Sequence, residues 1–154
     1  MARRAYSGPE DCNCLAVRQA ARHITQFYDQ LLAPSGLRTT QFSILAKLRR
    51  LGPMTINALA AEMVMDRTTL GRNILPVERD GLIAVQQGSR DRRSKELRLT
   101  AAGEARFRAA MKGWLQAQRQ FEGAFGAERT KEMRALLHAV AATDLGTTAV
   151  TVAE

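Results

Sequence analysis

The sequence predicts a mainly α-helical protein with one small β-hairpin, and three observations support this fold class. Apolar residues recur at helical spacing in several segments of the chain. Glycine and proline separate these segments. Two short stretches near the middle, residues 82–85 and 96–99, instead have the branched or alternating composition of strands. At 154 residues the chain has the length of one domain.

The first predicted helix covers residues 10–33 and ends at a proline-glycine cluster. Phe27 and Leu31 recur in it at helical spacing. Leu15 and Val17 add more apolar surface than one buried stripe requires. We therefore expect this helix to bury two faces, one of them against a partner.

Polar residues mark the starts of the next two helices. Thr39 or Thr40 is the cap expected for the second helix, and Thr55 is the cap expected for a short third helix. In the third helix apolar residues stand at positions i, i+3, i+4 and i+7, which fully matches an amphipathic helix. These residues are Ile56, Leu59, Ala60 and Met63.

The fourth predicted helix begins at the cap candidate Asp66 and carries a polar, basic leading face. Four side chains that can bond base edges or phosphates occupy its first two turns. They are Thr68, Thr69, Arg72 and Asn73. Pro76 is expected to kink this helix or end its regular part. The alternative interpretation is an ordinary solvated helix face.

A basic loop, residues 89–95, joins the two predicted strands and contains Arg90, Arg92 and Arg93. In winged helix-turn-helix proteins the second helix enters the major groove, and an arginine-tipped hairpin can reach the neighbouring minor groove. The pattern therefore predicts that residues 38–99 form a winged helix-turn-helix unit that reads DNA. A mobile charged hairpin tip is the alternative.

The charge distribution favours the same segment. The formal net charge is +8, and six of these eight net charges lie within residues 38–98. A surface that binds phosphates requires such a concentration. An ordinary basic surface would also explain the charge alone.

Two further helices are predicted after the hairpin, from residue 101 to about 123 and over residues 128–142. Thr100 is the cap candidate for the first of them. Residues 144–154 are expected to form a flexible tail.

Three segments, in this order, resemble the MarR family of dimeric winged helix-turn-helix regulators. They are Asp66-Arg-Thr-Thr-Leu, Glu78-Arg-Asp-Gly-Leu-Ile, and Asp91-Arg-Arg-Ser-Lys-Glu-Leu-Arg-Leu-Thr-Ala-Ala-Gly103. The likeness covers residues 12 to about 142. It implies a single MarR-like domain in which residues 10–33 and 100–143 are dimerisation helices and residues 38–99 bind DNA. The implied partners are a second copy of the chain and a pseudo-palindromic double-stranded DNA operator.

The resemblance also implies roles for individual residues. Those that match the family's DNA contacts are Thr68, Thr69, Arg72 and Asn73 in the major groove, Arg92 or Arg93 with Arg90 at the wing tip, and Thr55 near a phosphate. Asp91 resembles the family's wing acid, which more often orients neighbouring arginines than touches DNA. Pro76 departs from the family's commonest pattern for this helix, so the resemblance does not extend to the far half of the helix or to contacts from Arg79.

Members of the family are usually released from DNA by a small phenolic or aromatic acid, or by thiol oxidation. Cys14, with Cys12 beside it, falls where the hydroperoxide-sensing branch keeps its reactive cysteine, and Tyr28 matches a tyrosine of that branch. The branch's tyrosines on the second helix are missing here. If both cysteines lie on one helix they point about 200° apart and are poor disulfide partners within one chain. The alternative is two small apolar side chains packed in the dimer interface.

The ligand route requires a cavity and a cation that can hold a carboxylate. The candidates are Arg18, Arg22 and His23 on the first helix, with Phe42 and Trp114 nearby in the family's geometry. Ordinary surface or interface pairing of these cations is the alternative.

Other function classes receive less support from the sequence. An architectural or weakly specific DNA-binding protein would use the same surface as a regulator. The sequence contains no paired nucleophile and base and no phosphate-binding glycine loop, so it does not indicate an enzyme. Two cysteines with His23 and His138 fall short of a tetrahedral metal site, so no metal or cofactor is expected. The chain has no apolar run of ~20 residues, so we expect a cytoplasmic protein without a membrane partner.

Overall fold

The computed structural model of the protein describes residues 8–146. Its helices and strands are α1 (Asn13–Leu32), α2 (Thr39–Leu51), β1 (Met54–Thr55), α3 (Ile56–Met63), α4 (Arg67–Arg79), β2 (Ile83–Gln87), β3 (Lys95–Leu99), α5 (Ala101–Phe125) and α6 (Ala127–Ala142). This order confirms the mainly helical winged helix-turn-helix class. Across the described residues no helix is both long and apolar enough to cross a bilayer.

The three strands form one antiparallel sheet with β3 in its centre. β2 pairs with β3 from Ile83 opposite Leu99 to Gln87 opposite Lys95. β1 pairs with the other edge of β3 and places Met54 opposite Leu97. The sequence did not predict β1, because a strand of two residues has no periodicity of its own.

The chain forms two compact units, one up to Ala117 and one from Gln118 onwards. In the first unit the helices and the sheet enclose one apolar core. Its largest fully buried side chains are Leu32, Ile44, Leu45, Leu59, Leu70, Val77 and Ile83. The stripe predicted for α4 therefore faces inward, and the rest of that helix is left at the surface.

The second unit contains the end of α5 and all of α6. The rings of Phe121 and Phe125 stack with their centroids 5.5 Å apart, and the guanidinium of Arg129 lies 4.4 Å from the Phe125 centroid. The hydroxyl of Thr130, a buried residue, donates to the carbonyl of Gly126. Several large apolar side chains on α6 are exposed, namely Leu136, Leu137 and Val140.

Three of the predicted helix caps are confirmed and one is wrong. The confirmed caps are Thr55, Asp66 and Thr100, each of which accepts the backbone N–H three residues later. Neither Thr39 nor Thr40 is the cap, because both already lie within α2; the N–H and hydroxyl of Thr39 both donate to Oδ1 of Asp29, at 2.7 Å each. Arg38 takes the cap position instead, and its N–H donates to Oε1 of Gln41.

Some predicted boundaries also differ from the structure. α1 begins at Asn13 rather than at residue 10, because Pro9–Asp11 form a separate 3₁₀ turn. Pro76 does not end α4, which continues to Arg79. β2 begins at Ile83 because the N–H of Leu82 still bonds back to the helix. Most of the predicted tail, from residue 147 onwards, lies outside the described residues.

Candidate nucleic-acid interface

The turn between α3 and α4 is fixed by backbone bonds and by an unusual conformation at Val64. The N–H of Val64 donates to Ala61 and that of Met65 donates to Ala60, which closes α3. Val64 has a φ of 51°, in the left-handed region that β-branched residues rarely adopt. The chain then turns sharply and reaches the cap of α4 within two residues.

The leading face of α4 lies in solvent because the opposite stripe is buried. Thr68, Thr69 and Arg72 are exposed, and Asn73 is half-buried. Within residues 8–146 the guanidinium of Arg72 is in none of the ion pairs. This face therefore presents two hydroxyls, an amide and an uncommitted cation over two helical turns, which matches the predicted grouping.

Asp66 and Thr69 are joined by two hydrogen bonds. Oδ1 of Asp66 accepts the backbone N–H of Thr69 at 2.8 Å, and Oδ2 accepts the Thr69 hydroxyl at 2.6 Å. These bonds, the hydroxyl bond first, hold the pKa of Asp66 below its ordinary value. The carboxylate is therefore ionised at neutral pH. Asn73 completes the group, because its Nδ2 donates to the Thr69 carbonyl at 2.8 Å.

The wing tip is a compact turn rather than a loose loop. The N–H of Gly88 donates to Ser94, and the N–H of Ser94 donates to Asp91. A side chain at Gly88 would collide with Ser94 and with the Asp91 carbonyl, so this position requires glycine. These hydrogen bonds order the backbone from which the basic side chains of the tip project.

The basic side chains at this tip, Arg90, Arg92 and Arg93, are exposed. Within the described part of the chain none of them is in an ion pair. Oδ1 of Asp91 accepts the backbone N–H of Arg93 at 2.9 Å. Asp91 therefore shapes the turn through the backbone.

Two other residues flank this surface. The Thr55 oxygen accepts the N–H of Ala58 at 3.2 Å, so its hydroxyl proton remains available for a neighbouring acceptor. Arg79 lies at the far end of α4, where Nε is 3.6 Å from Oδ1 of Asp80.

The two cysteines do not share a helix as the sequence argument assumed. Cys12 is the residue before α1, with φ −73° and ψ 111°, and its Sγ accepts the N–H of Leu15 at 3.4 Å. Cys14 is in the first turn of α1, and both side chains are exposed. The 200° separation therefore does not describe this pair. Tyr28 is 14 residues further along α1, about 21 Å from Cys14 by helical rise.

An aromatic cleft of about 380 Å³ opens between α2 and α5. The ring of Phe42 stacks on Phe107 at 4.9 Å and lies 6.0 Å from Trp114, measured between centroids. Lys47 and Arg50 are the cations that line it. The predicted aromatic residues are therefore brought together. The predicted cations are not among the lining residues, since Arg18, Arg22 and His23 are exposed on α1.

Sequence reasoning missed the other residues that line this cleft, among them Lys47, Arg50 and Phe107. Lys47 and Arg50 were not predicted as lining residues because they fall off the apolar stripe of α2. Their position beside aromatic rings depends on where α5 crosses α2, which no local pattern encodes.

Among residues 8–146 no group of three or more potential metal ligands occurs.

A comparison with protein families matches residues 37–95 to the MarR family. The M. tuberculosis transcriptional regulator MosR, solved in complex with DNA, is 38% identical to the chain, with a TM-score of 0.72. That match covers 84% of this chain and 96% of MosR. The HTH-type regulator YwoH of Bacillus subtilis is 33% identical over 91 residues, 59% of this chain and 66% of YwoH.

The homoprotocatechuate degradative operon repressor of Escherichia coli is 27% identical over 127 residues. The aligned region covers 82% of this chain and 86% of that repressor. The MarR family consists of transcriptional regulators and not of enzymes, and MosR demonstrates DNA binding by a protein of this fold. The helix-turn-helix, the wing and the extent of these similarities show that the chain belongs to the MarR family of DNA-binding transcriptional regulators.

Proposed function

We propose that the protein is a repressor that binds a pseudo-palindromic operator as a homodimer and is released by a small aromatic acid or by thiol oxidation. The observation that supports DNA binding is that one compact unit has two basic surfaces whose arginines are in no ion pair among the described residues. The leading face of α4 presents Arg72, and the wing tip presents three exposed arginines. A helix in the major groove and a wing in the minor groove would use both surfaces together.

Individual contacts follow from the chemistry of these side chains. Arg72 can bond a guanine through two hydrogen bonds, while Thr68, Thr69 and Asn73 can bond other base edges. Arg90, Arg92 and Arg93 suit the negative potential of a narrow minor groove. Thr55 has a hydroxyl proton that can bond a phosphate oxygen.

The homodimer is supported by apolar surface that would be exposed to solvent in a monomer. Leu15 and Val17 on α1 are 41% and 45% exposed, and Leu136 on α6 is 68% exposed. They lie in the segments predicted for dimerisation, residues 10–33 and 100–143. Two-fold pairing would place two copies of α4 about 10 base pairs apart, as a palindromic operator requires.

The DNA-binding proposal is tested with a duplex selected from a random library and with an unselected duplex of equal length. A regulator is expected to prefer the selected duplex by ~10³-fold or more. Arg72→Ala is expected to weaken selected binding by ~1–3 kcal/mol and to relax base preference. Arg79→Ala is the matched control on the same helix and should leave base preference unchanged.

An architectural protein would give a different result in the same titration. It would bind both duplexes with similar affinity, and Arg72→Ala would weaken both equally. A lost phosphate contact would flatten the salt dependence by about one unit for either kind of protein, so it does not distinguish them. Similar affinity for the two duplexes would contradict the sequence-specific repressor.

The aromatic cleft supports release by a small acid. Its three stacked rings can hold an aromatic ring, and Arg50 in its lining can bond a carboxylate. Lys47 is already 2.9 Å from Oε2 of Glu62 on α3, so Arg50 is the less committed cation. The name of the E. coli relative concerns degradation of an aromatic acid, which favours this ligand class.

Release is tested by adding aromatic carboxylic acids, homoprotocatechuate among them, to the complex with the selected duplex. Arg50→Gln is expected to need higher acid concentrations than the wild type. Arg18→Gln is the control, because Arg18 lies outside the cleft on α1. If only Arg18→Gln lost its response to the acid, the effector site would lie at the cations predicted from the sequence and not in the cleft.

The thiol route is supported by the exposure of Cys12 and Cys14 at the start of α1. Oxidation there would place a polar adduct or a bridge beside the proposed dimer surface. The wild type and Cys14→Ser are compared on the selected duplex before and after mild peroxide. Release of the wild type alone supports the thiol route, and release of neither protein eliminates it.

A further inference from the structure

The hydroxyl of Thr69 is held in one orientation on the leading face of α4. Oδ2 of Asp66 lies 2.6 Å from it, and Oδ1 of the same carboxylate accepts the Thr69 N–H. An ionised carboxylate has no proton to give, so Thr69 must be the donor in the hydroxyl bond. The Thr69 oxygen has therefore used its only proton and presents lone pairs to a partner.

Such an oxygen distinguishes the base edges of the major groove. Adenine and cytosine offer amino groups there, whereas guanine and thymine offer carbonyl oxygens. An amino group can donate a hydrogen bond to the Thr69 oxygen. A carbonyl oxygen cannot, and it would be repelled because both oxygens present lone pairs. Since every base pair has one amino and one keto base, the hydroxyl senses which strand carries the amino base.

We propose that Asp66 sets the base preference of Thr69, so that α4 selects an amino base over a keto base at the position which Thr69 faces. The inference rests on the proposed sequence-specific binding and adds a specificity rule to it. Asp66 acts through Thr69 and is a positioning residue. The preference expected for one such position is about tenfold, within the usual range for a single mismatched base pair.

Asp66→Asn is the decisive variant because asparagine also caps helices well. Its carbonyl oxygen can still accept the Thr69 N–H, while its amide nitrogen can donate to the Thr69 oxygen. The hydroxyl proton is then free to turn towards DNA. The variant should therefore prefer a keto base, which accepts that proton, at the same position.

Two other variants separate this effect from charge and from folding. Glu78→Gln removes one negative charge from α4, and the Thr69 bonds among the described residues are to Asp66 and Asn73 and not to Glu78. Both charge removals should raise the overall affinity for DNA by a similar factor, but only Asp66→Asn should also change the base preference. Thr69→Val keeps the shape of the side chain but has no hydroxyl, so it should show an amino-to-keto ratio of about one at that position.

The measurement is the ratio of amino to keto bases at each position of a randomised duplex library, determined by sequencing the bound fraction. The wild type and Glu78→Gln are expected to show a ratio of about ten at one position of each half-site, read on the strand that Thr69 faces, and Asp66→Asn a ratio below one there. A wild-type ratio retained by Asp66→Asn or by Thr69→Val would overturn the inference and leave the repressor intact. A wild type without sequence preference at any position would overturn both.

Discussion

At the scale of single residues, Gly103 shows how closely α5 approaches the sheet. A Cβ on Gly103 would collide with the carbonyl oxygen of Leu82 and lie 2.7 Å from Cδ1 of Leu99. The Leu82 carbonyl cannot easily move, because it accepts the N–H of Thr100. The glycine at the end of the Asp91 to Gly103 segment is therefore required by packing and not by an unusual φ.

We expect Gly103→Ala to destabilise the protein by ~1–3 kcal/mol, since overpacking forces the backbone to shift. Gly123→Ala on the same helix is the control, because a Cβ there would meet nothing within 4 Å. That control should be neutral or more stable by up to ~1 kcal/mol, as alanine is the better helix former. Urea denaturation measures both values. Equal stability of the two variants would contradict the proposed close approach.

At the scale of elements, Glu104 ties α5 to α2. Its two carboxylate oxygens lie 3.1 and 3.0 Å from Nε of Arg49, and Oε1 is 2.8 Å from Nε of Arg108. Arg49 also lies over the ring of Phe107, 5.3 Å from its centroid. Arg49 first, and then Arg108, lower the pKa of Glu104 below its ordinary value.

The stabilisation by Glu104 should depend on pH in a defined direction. The carboxyl group has a lower pKa in the folded chain, so as the pH falls the unfolded chain takes up the proton first. The contribution is complete above the ordinary glutamate pKa and disappears as the pH falls through the folded value. Glu104→Gln should therefore lower the thermal midpoint at pH 7 and have progressively less effect below about pH 4.

Glu132→Gln is the control for this pH series, because Glu132 is exposed on α6 and in no ion pair within residues 8–146. It should change the midpoint little at any pH. A Glu104→Gln deficit that is the same at pH 7 and at low pH would show that the ion pair is not the cause.

The elements that were predicted correctly are those whose signals are local. The buried stripe of α4 follows from helical period, and the caps at Thr55 and Asp66 bond only three residues ahead. Thr39 was misassigned because its partner, Asp29, lies on another helix. The cations of the aromatic cleft were missed for the same reason, since their role depends on the crossing of α2 and α5.

At the scale of the whole molecule, net positive charge and exposed apolar surface lie in different parts of the chain. Most of the net positive charge lies in residues 38–98, while exposed apolar residues recur on α1 and α6. A single wing and reading helix would bind one half-site weakly. Two linked copies gain affinity, because the second half-site is bound intramolecularly. Stable binding to an operator should therefore depend on dimerisation.

This dependence is tested by the double variant Leu136→Gln/Val140→Gln. Both side chains are more than half exposed, at 68% and 55%, so replacing them should not disturb folding of the single chain. Sedimentation equilibrium should give twice the 17.0 kDa chain mass for the wild type at micromolar concentration and a shift towards the monomer for the variant. Operator affinity should fall by ~10²-fold or more, since the linked half-sites are lost. His138→Gln, an exposed substitution on the same helix, should retain the dimer and the affinity. A wild type that sediments as a monomer yet binds its operator tightly would show that one chain suffices.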